Sequence, residues 1–340
     1  MQPSDFLRIA LALAGACALS ACTQSTMSRD SRAASSVVAE QSAATFSVPA
    51  AALTTPIVLI AYGDMRFTNP TETSASSPVV RRALIAKVAA EHPQAIFLNG
   101  DIPWHGTSAD YGVYRSETEL WREQQLRVYP ALGNHEFSKC DPAQCLEYWW
   151  SAFPEMRDRR WYSVALGDKF LGLTLDSNTS LLPGSEQRAW LERQFEHLSK
   201  QVQFVLIVMH HPPLADMQTT KGVDHNPRPN EQALADYLDR IAPAMRARIV
   251  VSAGHIHNYE REERGGVVYL VSGGGGAAPY EVDRTAADLY RGTDFPNYHY
   301  VRIELTDGRL RASMIRLADP GADAPQHWEV RDRFELSPRP

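Results

Sequence analysis

The chain has 340 residues, of which 44% are hydrophobic and 22% charged, and its formal net charge is −6. This length and apolar content predict one sizeable domain with flanking tails. The acidic balance argues against a protein that binds nucleic acid through a basic surface, so no nucleic-acid scaffold role is expected. An anionic substrate would have to be attracted locally, by metal ions and arginine side chains.

Residues 1–21 have the features of an export signal. A thin positive region precedes an apolar run, Ile9–Leu19, which is too short to span a bilayer comfortably. The run leads into Leu19-Ser20-Ala21-Cys22, which resembles the bacterial lipobox and implies cleavage before Cys22 and acylation of that cysteine. An ordinary signal peptide cut nearby and a buried helix are the alternatives. Thr23 stands where an aspartate would favour retention in the inner membrane, so we expect a lipoprotein of the outer membrane that faces the periplasm.

The segment 22–54 is rich in Ser, Ala and Thr and contains almost no large apolar side chains. Such a composition buries too little apolar surface to offset the entropy that is lost on ordering. We therefore predict a flexible tether over 22–54 and a folded catalytic domain over 55–340.

The first half of the domain alternates between strand and helix patterns. Near-continuous apolar runs, which are typical of strands buried on both faces, lie at 57–62, 95–99 and 127–132. Amphipathic spacing predicts a helix over 78–92, and a more polar helix is predicted over 111–126. Strand, helix and strand in this order form βαβ units, so the sheet should be at least partly parallel.

The second half begins in the same way and then changes character. Strands are predicted at 161–166, 169–175, 204–209 and 248–253, and helices at 184–200 and 230–242. Four later strand patterns follow one another without helices, which predicts antiparallel pairing, and they lie at 267–271, 298–305, 310–317 and 328–336. The Pro-rich polar segment 212–229 is predicted to form a rim loop, and the glycine run at 272–276 a turn.

Two cysteines, Cys140 and Cys145, lie close together in the part of the chain that would be exported. An even pair in an exported protein favours a disulfide, which would pin the loop that follows His135. A metal-binding pair is the alternative, although the spacing is not the usual one for zinc.

Five predicted strands end in polar residues of a related kind. These residues are Asp64, Asp101, Asn134 with His135, His210 with His211, and His255 with His257. In open α/β sheets, ligands gather outside the carboxyl ends of the strands, so these side chains should meet at one edge. Carboxylate, amide and imidazole groups together form a transition-metal ligand set. The sequence therefore predicts a metal centre at this edge.

This ordered series resembles the calcineurin-like metallophosphoesterase family. The resemblance is carried by Gly63-Asp64, Gly100-Asp101, Gly133-Asn134-His135-Glu136, His210-His211-Pro212 and Gly254-His255-Ile256-His257. The continuation Asn258-Tyr259-Glu260-Arg261 is similar to the purple acid phosphatase branch. The resemblance implies an α/β fold, a four-layer α/β/β/α sandwich of two mixed sheets flanked by helices.

The resemblance also implies ligands for two transition metals. One metal would be held by Asp101, Asn134, His210 and His255, and the other by Asp64, Asp101 and His257, with Asp101 bridging them. These ligand types suit Fe, Mn, Zn and Co alike. A hydroxide bound by the metals would then attack phosphorus in line, without a covalent enzyme intermediate.

Two further histidines receive roles from the resemblance. His135 would protonate the leaving oxygen, although it could also serve only to orient a neighbouring ligand. His211 would contact the substrate or only pack beside His210.

The chain departs from the family pattern at two positions. Two residues after the first aspartate the family has a histidine, or a glycine in the purple branch, and here it has Arg66. Three residues after the second aspartate the purple branch has a tyrosine ligand, and here it has Trp104. Neither side chain offers a lone pair to a metal, so the Asp64 site should be weak and no purple colour is expected. His105 is a less favoured substitute ligand.

The planar fork of Arg66 suits a phosphate oxygen, so Arg66 is predicted to be a substrate-binding and catalytic residue. The sequence thus predicts an exported, lipid-anchored, metal-dependent hydrolase of small phosphorylated substrates, with monoesters favoured over diesters. A phosphodiesterase or nucleotidase is the alternative enzyme. A degenerate single-metal protein that binds phosphorylated ligands without turnover is the alternative from another class, and a cell-envelope scaffold would leave the ligand array unexplained. Oligomeric state has no visible signal.

Overall fold

The computed structural model describes residues 44–218, 225–321 and 325–340. The predicted signal peptide, the lipidation site Cys22 and most of the predicted tether lie outside the described residues. Within the described ranges, no helix has both the length and the apolar character needed to cross a membrane.

The described chain consists of alternating strands and helices, followed by strands alone. The strands are β1 (Phe46–Val48), β2 (Ile57–Tyr62), β3 (Ala95–Leu98), β4 (Val128–Pro130), β5 (Tyr162–Leu166), β6 (Phe170–Thr174), β7 (Phe204–Val208), β8 (Met217–Gln218), β9 (Arg248–Ala253), β10 (Tyr259–Arg264), β11 (Val267–Ser272), β12 (Val282–Asp283), β13 (His299–Thr306), β14 (Arg309–Leu317) and β15 (Trp328–Leu336). The helices are α1 (Pro78–Ala90), α2 (Ser108–Glu117), α3 (Glu119–Glu123), α4 (Pro142–Ala152), α5 (Glu186–Glu196) and α6 (Pro229–Ile241).

The strands form two large mixed sheets and one small ribbon. One sheet has the order β15-β14-β13-β2-β3-β4, in which β2, β3 and β4 are parallel and β13, β14 and β15 are antiparallel. The other has the order β1-β5-β6-β7-β9-β11-β10, with β6, β7, β9 and β11 parallel. Strands β8 and β12 pair with each other in an antiparallel ribbon.

Two layers of buried apolar side chains hold the sheets and helices together, one between the two sheets and one between the second sheet and its helices. Side chains from both sheets meet in one cluster, where the Phe97 and Phe170 rings lie 6.2 Å apart and Gly172 leaves room for Phe97. The helices α5 and α6 cover the outer face of the second sheet, for example through Leu191 and Leu238. The helix α1 covers the first sheet, and Ser77 caps its start by accepting a hydrogen bond from the Val80 backbone N–H. The predicted α/β/β/α sandwich is therefore confirmed.

Some elements differ from the predictions, each for a local reason. The strand β1 lies inside the predicted tether 22–54 and pairs with β5, so packed structure begins before residue 55. The predicted helix 111–126 is two helices, because the Thr118 hydroxyl donates to the Tyr114 carbonyl at 2.6 Å where α2 ends. Strand β11 was expected to be antiparallel but lies parallel to β9 and antiparallel only to β10.

Candidate metal centre

The loops after β2, β3, β4, β7 and β9 meet where the two sheets abut. Asn99 links the sheets here, since its side-chain amide donates to the Ser252 hydroxyl at 3.0 Å and to the Ala253 carbonyl at 3.2 Å. The backbone of Gly63 joins them as well, because its N–H donates to the Ser272 carbonyl at 2.9 Å. Residues from both sheets are thus held against one another at the edge that the sequence predicted.

Four residues at this edge adopt the left-handed backbone conformation although none is glycine. Their φ angles are 63° at Asp64, 50° at Arg66, 52° at Asp101 and 71° at His255. This conformation is uncommon for such residues and costs about 1–3 kcal/mol each. Backbone hydrogen bonds hold these turns, for example from the Asp64 N–H to the Gly100 carbonyl and from the Arg66 N–H to the Asp101 carbonyl, each at 3.0 Å. The four residues lie just after β2, β3 and β9, where the chain turns at the end of each strand.

The first group of potential ligands surrounds Nε2 of His210. This atom lies 3.0 Å from Oδ1 of Asn134, 3.2 Å from Oδ1 of Asp101 and 3.2 Å from Nδ1 of His255. His210 Nδ1 donates to the Asn99 carbonyl at 2.9 Å, which leaves Nε2 with a lone pair in the neutral ring. Four atoms able to donate a lone pair therefore converge, which is the arrangement that a metal requires.

The second group consists of Asp64, Asp101 and His257, whose ligand atoms lie within 4.8 Å of one another. His257 Nδ1 donates to the Ala278 carbonyl at 2.5 Å, so its Nε2 carries the lone pair. Nε2 lies 3.4 Å from Oδ1 of Asp64, and neither buried atom has a hydrogen-bond partner among the described residues. Burial raises the pKa of Asp64 to about 7 and lowers the pKa of His257 well below its usual range. A cation between these atoms would relieve both costs, so this group also fits a metal.

Arg66 lies beside the second group rather than in solvent. Its side chain is buried, Nη2 lies 3.1 Å from Oδ2 of Asp101, and the guanidinium stands 5.1 Å from the centre of the Trp104 ring. Trp104 therefore supports Arg66 from the position at which the purple branch has its tyrosine. Arg66 occupies one oxygen of the carboxylate that both groups share, which would weaken metal binding at the Asp64 site.

His135 also packs against Trp104. The two rings stack with centroids 4.7 Å apart, and His135 Nδ1 lies 2.6 Å from the Trp104 carbonyl, to which it donates. The opposite nitrogen, Nε2, lies 3.9 Å from Oδ2 of Asp101. Because Nδ1 holds one proton, Nε2 carries a proton only when the ring is an imidazolium; burial lowers the pKa of His135, and the Asp101 carboxylate opposes this effect. His135 is thus held by its backbone-facing nitrogen while Nε2 faces the space beside the ligand groups, where the imidazolium could donate a proton to a substrate.

His211 adjoins the first group, since its ligand nitrogen lies within 4.8 Å of those of His210 and His255, and His225 lies beyond it. His211 is buried, its Nδ1 lies 2.7 Å from the Ser177 hydroxyl, and its ring lies 4.5 Å from that of His255. The ring of His225 stacks on His255 at 4.2 Å with an interplanar angle of 24°. Sequence reasoning missed His225, because a single histidine in a Pro-rich loop has no distinguishing pattern.

Glu136 is a second residue whose part in the site the sequence did not specify. Its carboxylate is buried and accepts backbone N–H bonds from Asp101 at 3.1 Å, Ile102 at 2.9 Å and Gly133 at 2.8 Å. It therefore fixes the loop of Asp101 to the loop of Asn134. In the sequence, Glu136 could be recognised only as part of the motif Gly133-Asn134-His135-Glu136, and the motif does not indicate this contact.

The remaining predicted residues lie at the edge of the site. Cys140 and Cys145 form a disulfide with a Cα–Cα distance of 5.5 Å, beside the loop that carries His135. His105 Nδ1 lies 3.0 Å from the Ser138 hydroxyl, and His105 belongs to neither ligand group. The structure therefore gives no support to His105 as a substitute ligand.

The fold and this site can be compared with known proteins. A purple acid phosphatase from seeds of yellow lupin (Lupinus luteus) has a TM-score of 0.66 at 16% identity, covering 85% of this chain and 55% of the lupin chain. GAP50, the anchor in the inner membrane complex of Plasmodium, has a TM-score of 0.58 at 13% identity, covering 84% and 89% of the two chains. A dimetal phosphatase from Danio rerio has a TM-score of 0.51 at 15% identity, covering 82% and 100%. These likenesses concern the fold, and the chain spans little more than half of the lupin protein.

The sequence itself carries the family relationship. No curated protein gives a significant match to the chain. A family model described as calcineurin-like phosphoesterase matches residues 78–259, which is more than half of the chain and includes Asp101, Asn134, His210, His255 and His257. This chain therefore belongs to the calcineurin-like phosphoesterase family.

Proposed function

We propose that this protein hydrolyses phosphoric esters, with monoesters preferred, in a reaction that depends on metals held by Asp101 and its neighbours. The observation that carries the proposal is that Asp101 lies with Asp64 and His257 in one group and 3.2 Å from His210 of the other, with Arg66 and His135 beside it. Metals bound there would supply Lewis-acid polarisation and a water of lowered pKa.

Side chains of the protein would bind the substrate, protonate the leaving group and orient the metal ligands. The Arg66 guanidinium can bind a phosphoryl oxygen while it remains near Asp101, and its fixed positive charge would offset charge on the substrate. In its imidazolium form, His135 would give the proton on Nε2 to the leaving oxygen and keep the proton on Nδ1 that bonds to the Trp104 carbonyl. Carbonyl groups of Asn99 and Ala278 hold His210 and His257 in the tautomers that leave Nε2 free.

The preference for monoesters rests on charge. A phosphate monoester carries one more negative charge than a diester near neutral pH, and the buried cation of Arg66 favours the more anionic ligand.

The test measures metal per chain and turnover in the same samples of tag-free protein. Elemental analysis gives the metal content, and activity is compared on p-nitrophenyl phosphate and bis(p-nitrophenyl) phosphate after addition of Fe, Mn, Zn or Co. We expect metal-dependent turnover with the monoester preferred. Equal or greater turnover of the diester would support a phosphodiesterase instead.

One observation favours a second candidate, a single-metal protein that binds phosphorylated ligands without turnover. Arg66 already pairs with one oxygen of Asp101, a carboxylate that a second metal would also need as a ligand. A chain that binds one metal per molecule, binds phosphate and remains inactive after every metal addition would support this candidate over the hydrolase.

The location of the protein in the cell is a separate proposal that rests on the N-terminal sequence alone. Leu19-Ser20-Ala21-Cys22 supports acylation of Cys22, with anchorage in the outer membrane through the lipid and the domain in the periplasm. Mass analysis of the mature N-terminus and membrane fractionation of a Cys22→Ser variant test it. A soluble wild-type protein without lipid would contradict it.

A further inference from the structure

A group of carboxylates away from the candidate metal centre lies on strand β10. Glu260 and Glu262 alternate along the strand and so point to the same face, and Asp216 comes from the segment that precedes β8. Their ligand oxygens lie within 4.8 Å of one another. Asp216 and Glu260 are buried, and Glu262 is half-buried. Glu260 belongs to the stretch Asn258-Tyr259-Glu260-Arg261 that is similar to the purple branch, but the proposed hydrolysis gives none of these three side chains a role.

One oxygen in this group has no partner. Glu260 is 1% exposed, and its Oε2 accepts a hydrogen bond from the Asp216 backbone N–H at 2.6 Å. Its Oε1 has no hydrogen-bond partner among the described residues. A buried, unpaired carboxylate oxygen is costly, and three carboxylates in contact repel one another as well. Burial raises the pKa of Glu260 well above its usual range, with Asp288 and Asp216 adding to the effect.

The neighbouring arginines are already engaged elsewhere. Arg284 binds Asp288 and donates to the Tyr259 carbonyl, and Arg264 lies 2.7 Å from Asp239. Arg261, on the opposite face of β10, lies 2.6 Å from Asp332. Arg284 and Arg264 act to lower the pKa values of Glu260 and Glu262, but burial and the neighbouring carboxylates outweigh them, and both pKa values stay raised. The arginines therefore offset the negative charge of the group on β10 only in part.

We propose that Asp216, Glu260 and Glu262 form a binding site for a hard divalent cation, with Ca²⁺ as the best fit. The ligand atoms are all oxygens, which Ca²⁺ prefers, whereas the candidate metal centre offers the imidazoles that suit transition metals. Two oxygens bound to one Ca²⁺ at about 2.3–2.6 Å can be up to about 5.2 Å apart, so the spread of the group fits. Mg²⁺, at about 2.0–2.1 Å, would accept separations only up to about 4.2 Å.

This cation would connect segments that surround the candidate metal centre. Asp216 follows the loop of His210 and His211, and its Oδ2 accepts a hydrogen bond from the Thr285 backbone N–H at 2.9 Å. Glu260 lies only three residues after His257 in the chain. The bound cation would thus hold the loop after β7 and the segment around residue 285 against β10. The inference does not depend on the proposed hydrolysis.

The test uses the metal-loaded protein and compares two neighbouring glutamates. Glu262→Gln removes one ligand charge. Glu263→Gln is the matched control, because Glu263 points to the other face of β10 and its exposed side chain lies 3.7 Å from Arg248. Calorimetry measures Ca²⁺ binding, elemental analysis counts the transition metals, and thermal unfolding reports stability.

We expect wild type and Glu263→Gln to bind one Ca²⁺ per chain beyond the transition metals. At a Ca²⁺ concentration about 100 times the dissociation constant, their melting temperature should rise by about 4 °C. Glu262→Gln should lose at least about tenfold in Ca²⁺ affinity with its transition-metal content unchanged, since ligand charge sets the affinity of such sites.

Three results would overturn the inference. The first is a wild-type protein that binds no additional Ca²⁺, and the second is a Glu262→Gln variant that binds Ca²⁺ with wild-type affinity. The third is a wild-type protein whose melting temperature does not change with Ca²⁺, together with a Glu262→Gln variant that is more stable than wild type. The last result would mean that protons, rather than a cation, balance the charge of the three carboxylates. The wild-type titration alone decides the matter if the variant fails to fold.

Discussion

The guanidinium of Arg66 lies 3.1 Å from Oδ2 of Asp101, the carboxylate that both groups of potential metal ligands share. The permanent positive charge of Arg66 thus lies against one oxygen of Asp101, the carboxylate that is expected to bridge two metal cations. Burial is the main cause of the lowered pKa of His257, and the charge of Arg66 lowers this pKa further. The charge of Arg66 therefore acts on the second group as well. The balance between this charge and a second metal decides how the site works.

Replacement of Arg66 by glutamine should separate substrate binding from metal binding. Loss of the charged hydrogen bond, worth about 1.5–3 kcal/mol, should raise KM for an aryl phosphate by at least about tenfold. The number of metals bound at limiting supply should stay the same or increase, because repulsion at the Asp64 group is removed. Steady-state kinetics with elemental analysis of the same samples checks both.

Arg66→Lys is the control for this substitution. It keeps the charge but loses the planar fork, so its KM should lie between those of wild type and Arg66→Gln, with metal content as in wild type. A decrease in metal content in Arg66→Gln would contradict the assigned role, because it would show that Arg66 supports the metals.

His135→Gln should reveal the proton donor through the leaving group. Without the donor, an alkyl phosphate should react about 10²–10⁴ times more slowly, whereas a nitrophenyl phosphate, whose leaving group needs little protonation, should change much less. His105→Gln is the matched control, because the His105 ring also lies 5.2 Å from that of Trp104 but its Nδ1 bonds to the Ser138 hydroxyl. An equal loss on both substrates would instead indicate that His135 only positions its neighbours.

Two stacked histidines should differ sharply in their effect on metal content. His255 Nδ1 lies 3.2 Å from His210 Nε2 within the first group, whereas His225 stacks on His255 from outside the group. His255→Ala should therefore lose metal and activity together, as should Asn134→Ala. His225→Ala should retain its metal. Elemental analysis after dialysis checks this, and similar metal loss in the His255 and His225 variants would show that His225 is a ligand.

The sequence predicted the strands that deliver the ligands because each is an apolar run that ends abruptly in a polar residue. The strand β10 was not predicted, since its charged sequence, Tyr259 to Arg264, lacks a strand pattern. It forms because β11 pairs with it over its whole length, with Tyr259 opposite Ser272. Its contact partners come from distant segments, and no local pattern could indicate them.

The candidate site shows the same limit. Its ligand residues could be predicted because each belongs to a motif of fixed spacing. The contact of Arg66 with Asp101 and the stacking of His225 on His255 depend on how separate loops fold over one another. Sequence spacing therefore pointed to the candidate ligands and, through the family resemblance, to Arg66 and His135, while the contacts that join these residues became visible only in three dimensions.

The last prediction concerns stability in acid and rests on His299, a fully buried residue outside both ligand groups. Its Nδ1 donates to the Asn297 carbonyl at 2.8 Å, and its Nε2 lies 3.0 Å from the Ser272 hydroxyl. Burial lowers the pKa of His299 to about 4, whereas an unfolded histidine has a pKa of about 6.5. As pH falls through this interval the unfolded chain binds the proton first, so stability present above pH 6.5 is lost toward pH 4.

This difference in pKa corresponds to about 3 kcal/mol of unfolding free energy across the interval. In His299→Gln, which does not titrate there, the free energy of unfolding should therefore fall less steeply between pH 6.5 and 4, whatever its absolute value. The exposed His327 provides the control, and His327→Gln should follow the wild-type slope. Denaturant unfolding at several pH values measures the slopes. Parallel curves for wild type and His299→Gln would show that other buried groups cause the loss of stability in acid.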